Sequence, residues 1–186
     1  MKILLLSILQ SLFALLGQKT MSTDFTITVQ QQTAQPISYT GSMTMHGEQF
    51  TLEAFGTQAA YDGSTLYMYN IDANELTLSN PTRNELYEAN PLLFAQAMTE
   101  ACTVTETTVK GVTTVTFVPK DASVGIDKIT MKVKPLTAGK QDYAPATIVM
   151  KEGTKTTTLL FRNLHYSDEL REYILKPEGA FINDIR

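Results

Sequence analysis

The chain of 186 residues is long enough for one well-buried domain and short for two. Hydrophobic residues make up 43% and charged residues 18%, which excludes a disordered chain; a formal net charge of −4 with scattered basic residues argues against a nucleic-acid partner. The single cysteine, Cys102, excludes an internal disulfide and a thiolate metal cluster, and it reads as a small apolar packer.

The first segment, Met1 to Gln18, has one lysine followed by a mostly apolar run from Ile3 to Leu16. The run is too short to span the ~30 Å of a bilayer as a helix, so no stable membrane insertion is expected. Its length suits a secretory h-region, and residues 1–17 read as a signal peptide, although Leu15 stands where a small residue is usual. An apolar N-terminal helix is the alternative. Ser7, Gln10 or Ser11, Ala14 and Gln18 recur at helical spacing, leaving a narrow polar stripe on a helix otherwise suited to a hydrophobic groove. No cysteine follows the run, so a lipid anchor is not expected.

From Thr23 the pattern changes to alternation, with Phe25, Ile27 and Val29 on one face of a half-buried strand. The same period recurs at Tyr39–Met45, Phe50–Phe55, Thr65–Tyr69, Glu75–Leu78, Cys102–Val109, Val112–Val118, Ile126–Val133, Thr147–Met150 and Thr157–Phe161. Thr, Val, Tyr and Phe dominate these runs and fit a pleated, partly buried surface. Turn residues separate them at Asp62-Gly63, Asp72 to Asn74, Lys110-Gly111, Ala138-Gly139 and Glu152-Gly153. The outcome is an antiparallel meander of about ten or eleven strands, closed as a barrel or curved as part of one.

Between the strands, Asn80-Pro81 and Asn90-Pro91 each place a capping residue before a proline, and Thr82 to Glu85 has capping-box spacing. Two short helices are predicted, over Thr82–Glu88 and Pro91–Ala101, the second with an apolar band of Leu92, Leu93, Phe94, Ala97 and Met98. The end of the chain, with Pro177, Gly179 and Phe181-Ile182, reads as an irregular tail finishing in a short strand. No repeat or linker divides residues 18–186, which read as a single domain.

Catalytic signatures are thin. His46 and His165 are the only imidazoles, and neither stands at metal-ligand spacing from another donor. There is no nucleophile elbow, phosphate loop or dinucleotide fingerprint. Glu85 and Glu88, three apart, read as a solvated helix face rather than an acid–base pair. No enzyme activity and no cofactor are expected.

Taken in order, Thr23-Asp24-Phe25-Thr26, the hairpin Tyr61-Asp62-Gly63-Ser64-Thr65-Leu66-Tyr67-Met68-Tyr69-Asn70, the helix start Asn90-Pro91-Leu92-Leu93 and the closing Phe181-Ile182-Asn183-Asp184-Ile185-Arg186 resemble the LolA family of periplasmic lipoprotein carriers. The resemblance implies a mainly β (α+β) fold: a curved, incomplete antiparallel barrel with short helices as a lid over a hydrophobic cavity. It implies a monomeric periplasmic carrier that binds the acyl chains of lipoproteins between an inner-membrane exporter and an outer-membrane acceptor. An envelope lipid-binding or sensor domain of the same fold is the alternative. The cavity lining expected from strand faces is Phe25, Ile27, Phe50, Leu52, Leu66, Met68, Phe117, Met131, Met150 and Phe161, and the lid carries Leu92, Leu93, Phe94 and Met98. The eight methionines suit variable acyl chains, or serve as ordinary core filler. Where the best-known members have an arginine that latches the lid, near the end of the second strand, this chain has His46-Gly47-Glu48, so its latch differs or is missing.

Overall fold

The structure is a computed structural model that describes residues 7–137 and 142–186, so the expected turn at Ala138-Gly139 lies outside the described residues. The elements are helix α1 (Ile8–Gln18), strands β1 (Thr20–Gln31), β2 (Ile37–His46), β3 (Gln49–Ala54), β4 (Thr57–Tyr61), β5 (Leu66–Asn70) and β6 (Glu75–Ser79), helices α2 (Arg83–Ala89) and α3 (Pro91–Ala101), and strands β7 (Cys102–Val109), β8 (Val112–Pro119), β9 (Lys128–Pro135), β10 (Tyr143–Glu152), β11 (Lys155–Ser167) and β12 (Phe181–Asp184). The strands form one sheet in the order β12-β6-β5-β4-β3-β2-β1-β11-β10-β9-β8-β7. The mainly β expectation holds, with twelve strands in place of ten or eleven. The strand missing from the sequence reading is β4. Its Ala59, Ala60 and Tyr61 are buried in succession, which erases the period of two, and alanine has little strand preference of its own.

The chain divides into two compact units. The first comprises the described residues of Met1–Leu15, Thr26–Ser38 and Ala97–Arg162. In it the ladders align Val104, Phe117, Ile129, Met150 and Thr157 across the sheet, and beside them Glu106, Val115, Met131, Ile148 and Leu159. Val115, Phe117, Ile129, Met131 and Val133 are fully buried on this face. The opposite face carries Thr105, Thr116, Thr130, Val149 and Thr158 in one row and Thr107, Thr114, Lys132, Thr147 and Leu160 in the next. This is the alternation of a sheet with one dry side. A bulge between Pro145 and Thr147 lets β10 begin well before the expected Thr147, because an irregular register accommodates a proline that lacks an N–H donor.

The second unit comprises Leu16–Phe25, Tyr39–Gln96 and Asn163–Arg186. Its ladders place Met43, Leu52, Ala59 and Met68 in one row, and Met45, Phe50, Tyr61 and Leu66 in the next row of the same face. Gly41 belongs to that face, and a Cβ there would lie 2.5 Å from Cζ of Phe25, so the glycine leaves room for the Phe25 ring. The other face is also partly dry, with Ala60 and Leu76 buried. The expected closing strand forms as β12 and is tied down in parallel to β6, with Phe181 N–H donating to the Asn74 carbonyl at 2.9 Å and Ile185 N–H to the Leu78 carbonyl at 2.9 Å.

Candidate functional site

In the first unit, the expected lining residues Phe117, Met131 and Met150 share one face by strand register, and Phe161 follows Leu159 of that face by two residues. Phe117, Met131 and Phe161 are buried, while Met150 is half-buried. Ile27, two positions beyond Phe25 on β1 and so on the same side of that strand, is half-buried as well.

Helix α1 begins over this face. Ser7 and Gln10 form a reciprocal capping box, with Gln10 N–H donating to Ser7 Oγ at 3.1 Å and Ser7 N–H to Gln10 Oε1 at 3.1 Å. The next two free donors of the first turn, Ile8 N–H and Leu9 N–H, reach Oε2 and Oε1 of Glu106 at 3.2 and 3.1 Å. Glu106 stands on the dry face beside Val115, so its carboxylate holds the positive end of the helix against β7. Leu9 and Leu12 are buried, and Leu16, four residues further round the same stripe, is buried too. The Ser7-x-x-Gln10 spacing is the signal in the sequence for this start.

In the second unit, Phe50, Leu52, Leu66 and Met68 occupy one face, joined by Phe25 through its fit over Gly41. Phe25, Phe50 and Leu66 are buried, Leu52 is half-buried and Met68 is 37% exposed. The Phe50 and Tyr61 rings meet with centroids 6.1 Å apart. The turn at His46-Gly47-Glu48 makes two helix contacts: Gly47 N–H donates to the Leu16 carbonyl of α1 at 2.8 Å, and Arg83 of α2 donates to Glu48 Oε1 at 2.8 Å. The Glu48 carboxylate raises the Arg83 guanidinium above its ordinary value, in a pair whose side chains are both more than half exposed.

Both predicted short helices form where their caps require. Thr82 Oγ1 accepts from Glu85 N–H while the Glu85 carboxylate accepts from Thr82 N–H, which holds that carboxyl below its ordinary range. Buried Asn90 closes α2 by donating its N–H to the Leu86 carbonyl and opens α3, where its Oδ1 accepts from Leu92 N–H at 3.0 Å. Of the expected lid residues, Leu92, Leu93 and Met98 are buried; Phe94 is half-buried, with its ring 6.4 Å from that of Tyr87.

The motifs that carried the family resemblance are structural devices. Asp62 Oδ1 accepts from Ser64 N–H and Thr65 N–H, each at 2.8 Å, and Tyr67 donates its hydroxyl to Asp62 Oδ2 at 3.1 Å. Gly63 takes φ +103° inside that loop, which favours glycine. At the closing motif, Arg186 grips Asp184, whose carboxyl falls to about 2 through the side-chain and then the backbone hydrogen bond of Arg186. Cys102 is buried and burial pushes its thiol up. His165 Nδ1 lies 3.2 Å from the Asn163 carbonyl, and His46 is half-buried. Among the described residues no three His, Cys, Asp or Glu side chains gather as a metal would need, and no helix is long and apolar enough to cross a membrane.

These elements define a mainly β protein built on a twelve-stranded, largely antiparallel sheet with three short α-helices. No protein-family model matches the chain, and no curated protein matches it. An uncharacterised conserved protein from Thermus thermophilus has the same fold, with a TM-score of 0.61 at 12% identity over 95% of this chain and 96% of that one. A LolA superfamily protein from Nitrosomonas europaea gives a TM-score of 0.46 at 10% identity, over 92% and 94% of the two chains. LprF from Mycobacterium bovis gives 0.45 at 13% identity, over 93% and 95%.

Proposed function

We propose that this chain is a periplasmic carrier that takes the acyl chains of lipoproteins onto the apolar face of its sheet and moves them between an inner-membrane exporter and an outer-membrane acceptor. One observation carries the reading. Beside the buried apolar residues of these faces, Met150 in the first unit and Leu52 and Met68 in the second are apolar side chains that remain partly open, where an acyl chain first finds apolar surface.

The energetic case is direct. Each methylene left in water costs about 0.8 kcal/mol, so a chain of about fourteen costs about 11 kcal/mol, and a carrier must offer replacement surface. In the first unit that surface lies beneath the first turn of α1, which two hydrogen bonds to Glu106 hold in place. Glu106 shares its row with Val115 and Met131, so moving this turn would widen access beside that row without breaking a strand pair. The sequence of residues 1–17 suits an export signal; the buried leucines of α1 support its retention as a cover over the face.

The test is a release assay with membrane vesicles that carry labelled lipoproteins and an active exporter. Labelled lipoprotein should leave the membrane in a soluble stoichiometric complex. Met150→Asp or Leu52→Asp, at partly open positions, should cut release by at least about tenfold while the thermal melt stays cooperative, because a carboxylate cannot be buried against acyl chains. No release, with the exporter shown to work on another carrier, would favour an envelope lipid-binding or sensor role.

A further inference from the structure

The solvent face of β8, β9 and β10 in the first unit is basic, although the chain as a whole is acidic. Lys128, Lys132 and Lys134 alternate along β9 and all point to this side, and Lys151 of β10 pairs directly with Lys128. All four are exposed, and among the described residues none makes an ion pair. No Asp or Glu stands on this face in β7 through β10, because Glu106 lies on the dry side and Glu152, bonded to Lys155 at 2.9 Å, has the opposite parity to Lys151. The carboxylate beside Lys128 is engaged elsewhere: Asp127 Oδ2 accepts from Gly153 N–H at 2.8 Å.

Like charges placed directly opposite on neighbouring strands disfavour the fold, so the Lys128–Lys151 pair is a local cost with no compensating ion pair among the described residues. The rest of the face is short and uncharged, with threonines in the middle and the exposed Val109, Val112 and Val118 on the flanking strands. Lysines with small apolar neighbours on a pleated surface offer no groove for a peptide and no planar fork for one specific anion. They match a broad layer of phosphates over a hydrocarbon interior.

We propose that this face docks the protein on membranes rich in anionic phospholipid, the lysines against headgroup phosphates and the valines toward the interface. A net charge of −4 would otherwise repel the protein from such a surface, so the clustering sets both the affinity and the face presented. The inference does not depend on the carrier reading, because it uses the opposite side of the sheet and needs no acylated client.

The test is co-sedimentation of the full chain with vesicles of phosphatidylcholine alone or with about one part in four of phosphatidylglycerol. Binding is expected to the anionic vesicles only, and to fall steeply between about 50 mM and about 500 mM salt. With each lysine contributing about fivefold, K128Q/K132Q/K151Q should lose roughly a hundredfold, and K176Q, in the other unit, should bind as the parent does. These substitutions are on exposed positions, and a cooperative thermal melt no lower than the parent's verifies folding. Equal binding to neutral vesicles, no binding to either, or full binding by the triple variant would each overturn the proposal. So would tighter binding to a short DNA duplex than to the anionic vesicles, which would assign the face to a different polyanion.

Discussion

The two units solve the same problem of covering a sheet in different ways. In the first, strands of eight or more residues keep one face dry and leave the other mostly to threonine and lysine, and the central β8 and β9 alternate cleanly. In the second, β4 and β5 are five residues each and both faces are partly buried: Phe50 and Leu66 pack on one, Ala60 and Leu76 on the other. The difference decides what a substitution costs. A residue on the open face of the first unit has water for a neighbour, whereas either parity in the second unit meets protein.

The largest test of that contrast is to add volume on matched faces. Ala60, fully buried on the face opposite Phe50, should not accept leucine, and Ala60→Leu should lose about 1–3 kcal/mol in urea denaturation through overpacking. Thr116→Val, on the outward face of the first unit, should stay within about 0.5 kcal/mol of the parent. Equal costs at the two positions would remove the distinction between a one-sided and a two-sided sheet.

The same contrast explains what was legible in the sequence. Cys102–Val109 and Pro91–Ala101 match their elements end to end, the strand because its alternation has a wet side to report and the helix because Asn90-Pro91 marks its start. β4 was illegible because successive burial of Ala59, Ala60 and Tyr61 leaves no period. The common face of Phe50, Leu52, Leu66 and Met68 follows from parity within each strand plus hairpins that preserve it. Glu106 was beyond reach. It lies about a hundred residues from the helix it caps and, by spacing alone, reads as one more polar position on a strand.

Glu106 gives the next effect in size. Glu106→Ala removes both acceptors from the first turn of α1 and should cost about 1 kcal/mol, while Glu106→Gln keeps one acceptor without the charge and should fall between the two. Hydrogen exchange distinguishes this from a general loss of stability. The amides of Leu9 to Leu12 should exchange faster, while those of β3 to β5 in the second unit keep their protection. Uniform acceleration across both units would show that α1 does not open separately.

The smallest effect belongs to the Asp62 loop, which stands on its own local bonds. Burial pushes the Asp62 carboxyl up, but the Thr65 and Ser64 N–H donors, followed by the Tyr67 and Ser64 hydroxyls, outweigh it and hold the group below 3.8. A carboxyl depressed in the folded state stabilises the fold above its unfolded value, and that contribution disappears as the pH falls through the lower folded value. Asp62→Asn keeps an acceptor for the two backbone donors and loses the charge, so it should be slightly less stable than the parent at neutral pH. The gap should close on acidification, since protonated Asp62 resembles the amide. A gap unchanged well below pH 3.8 would mean that the shape of the asparagine, rather than the lost charge, accounts for the difference, and that the hairpin motif does not owe its stability to a carboxylate.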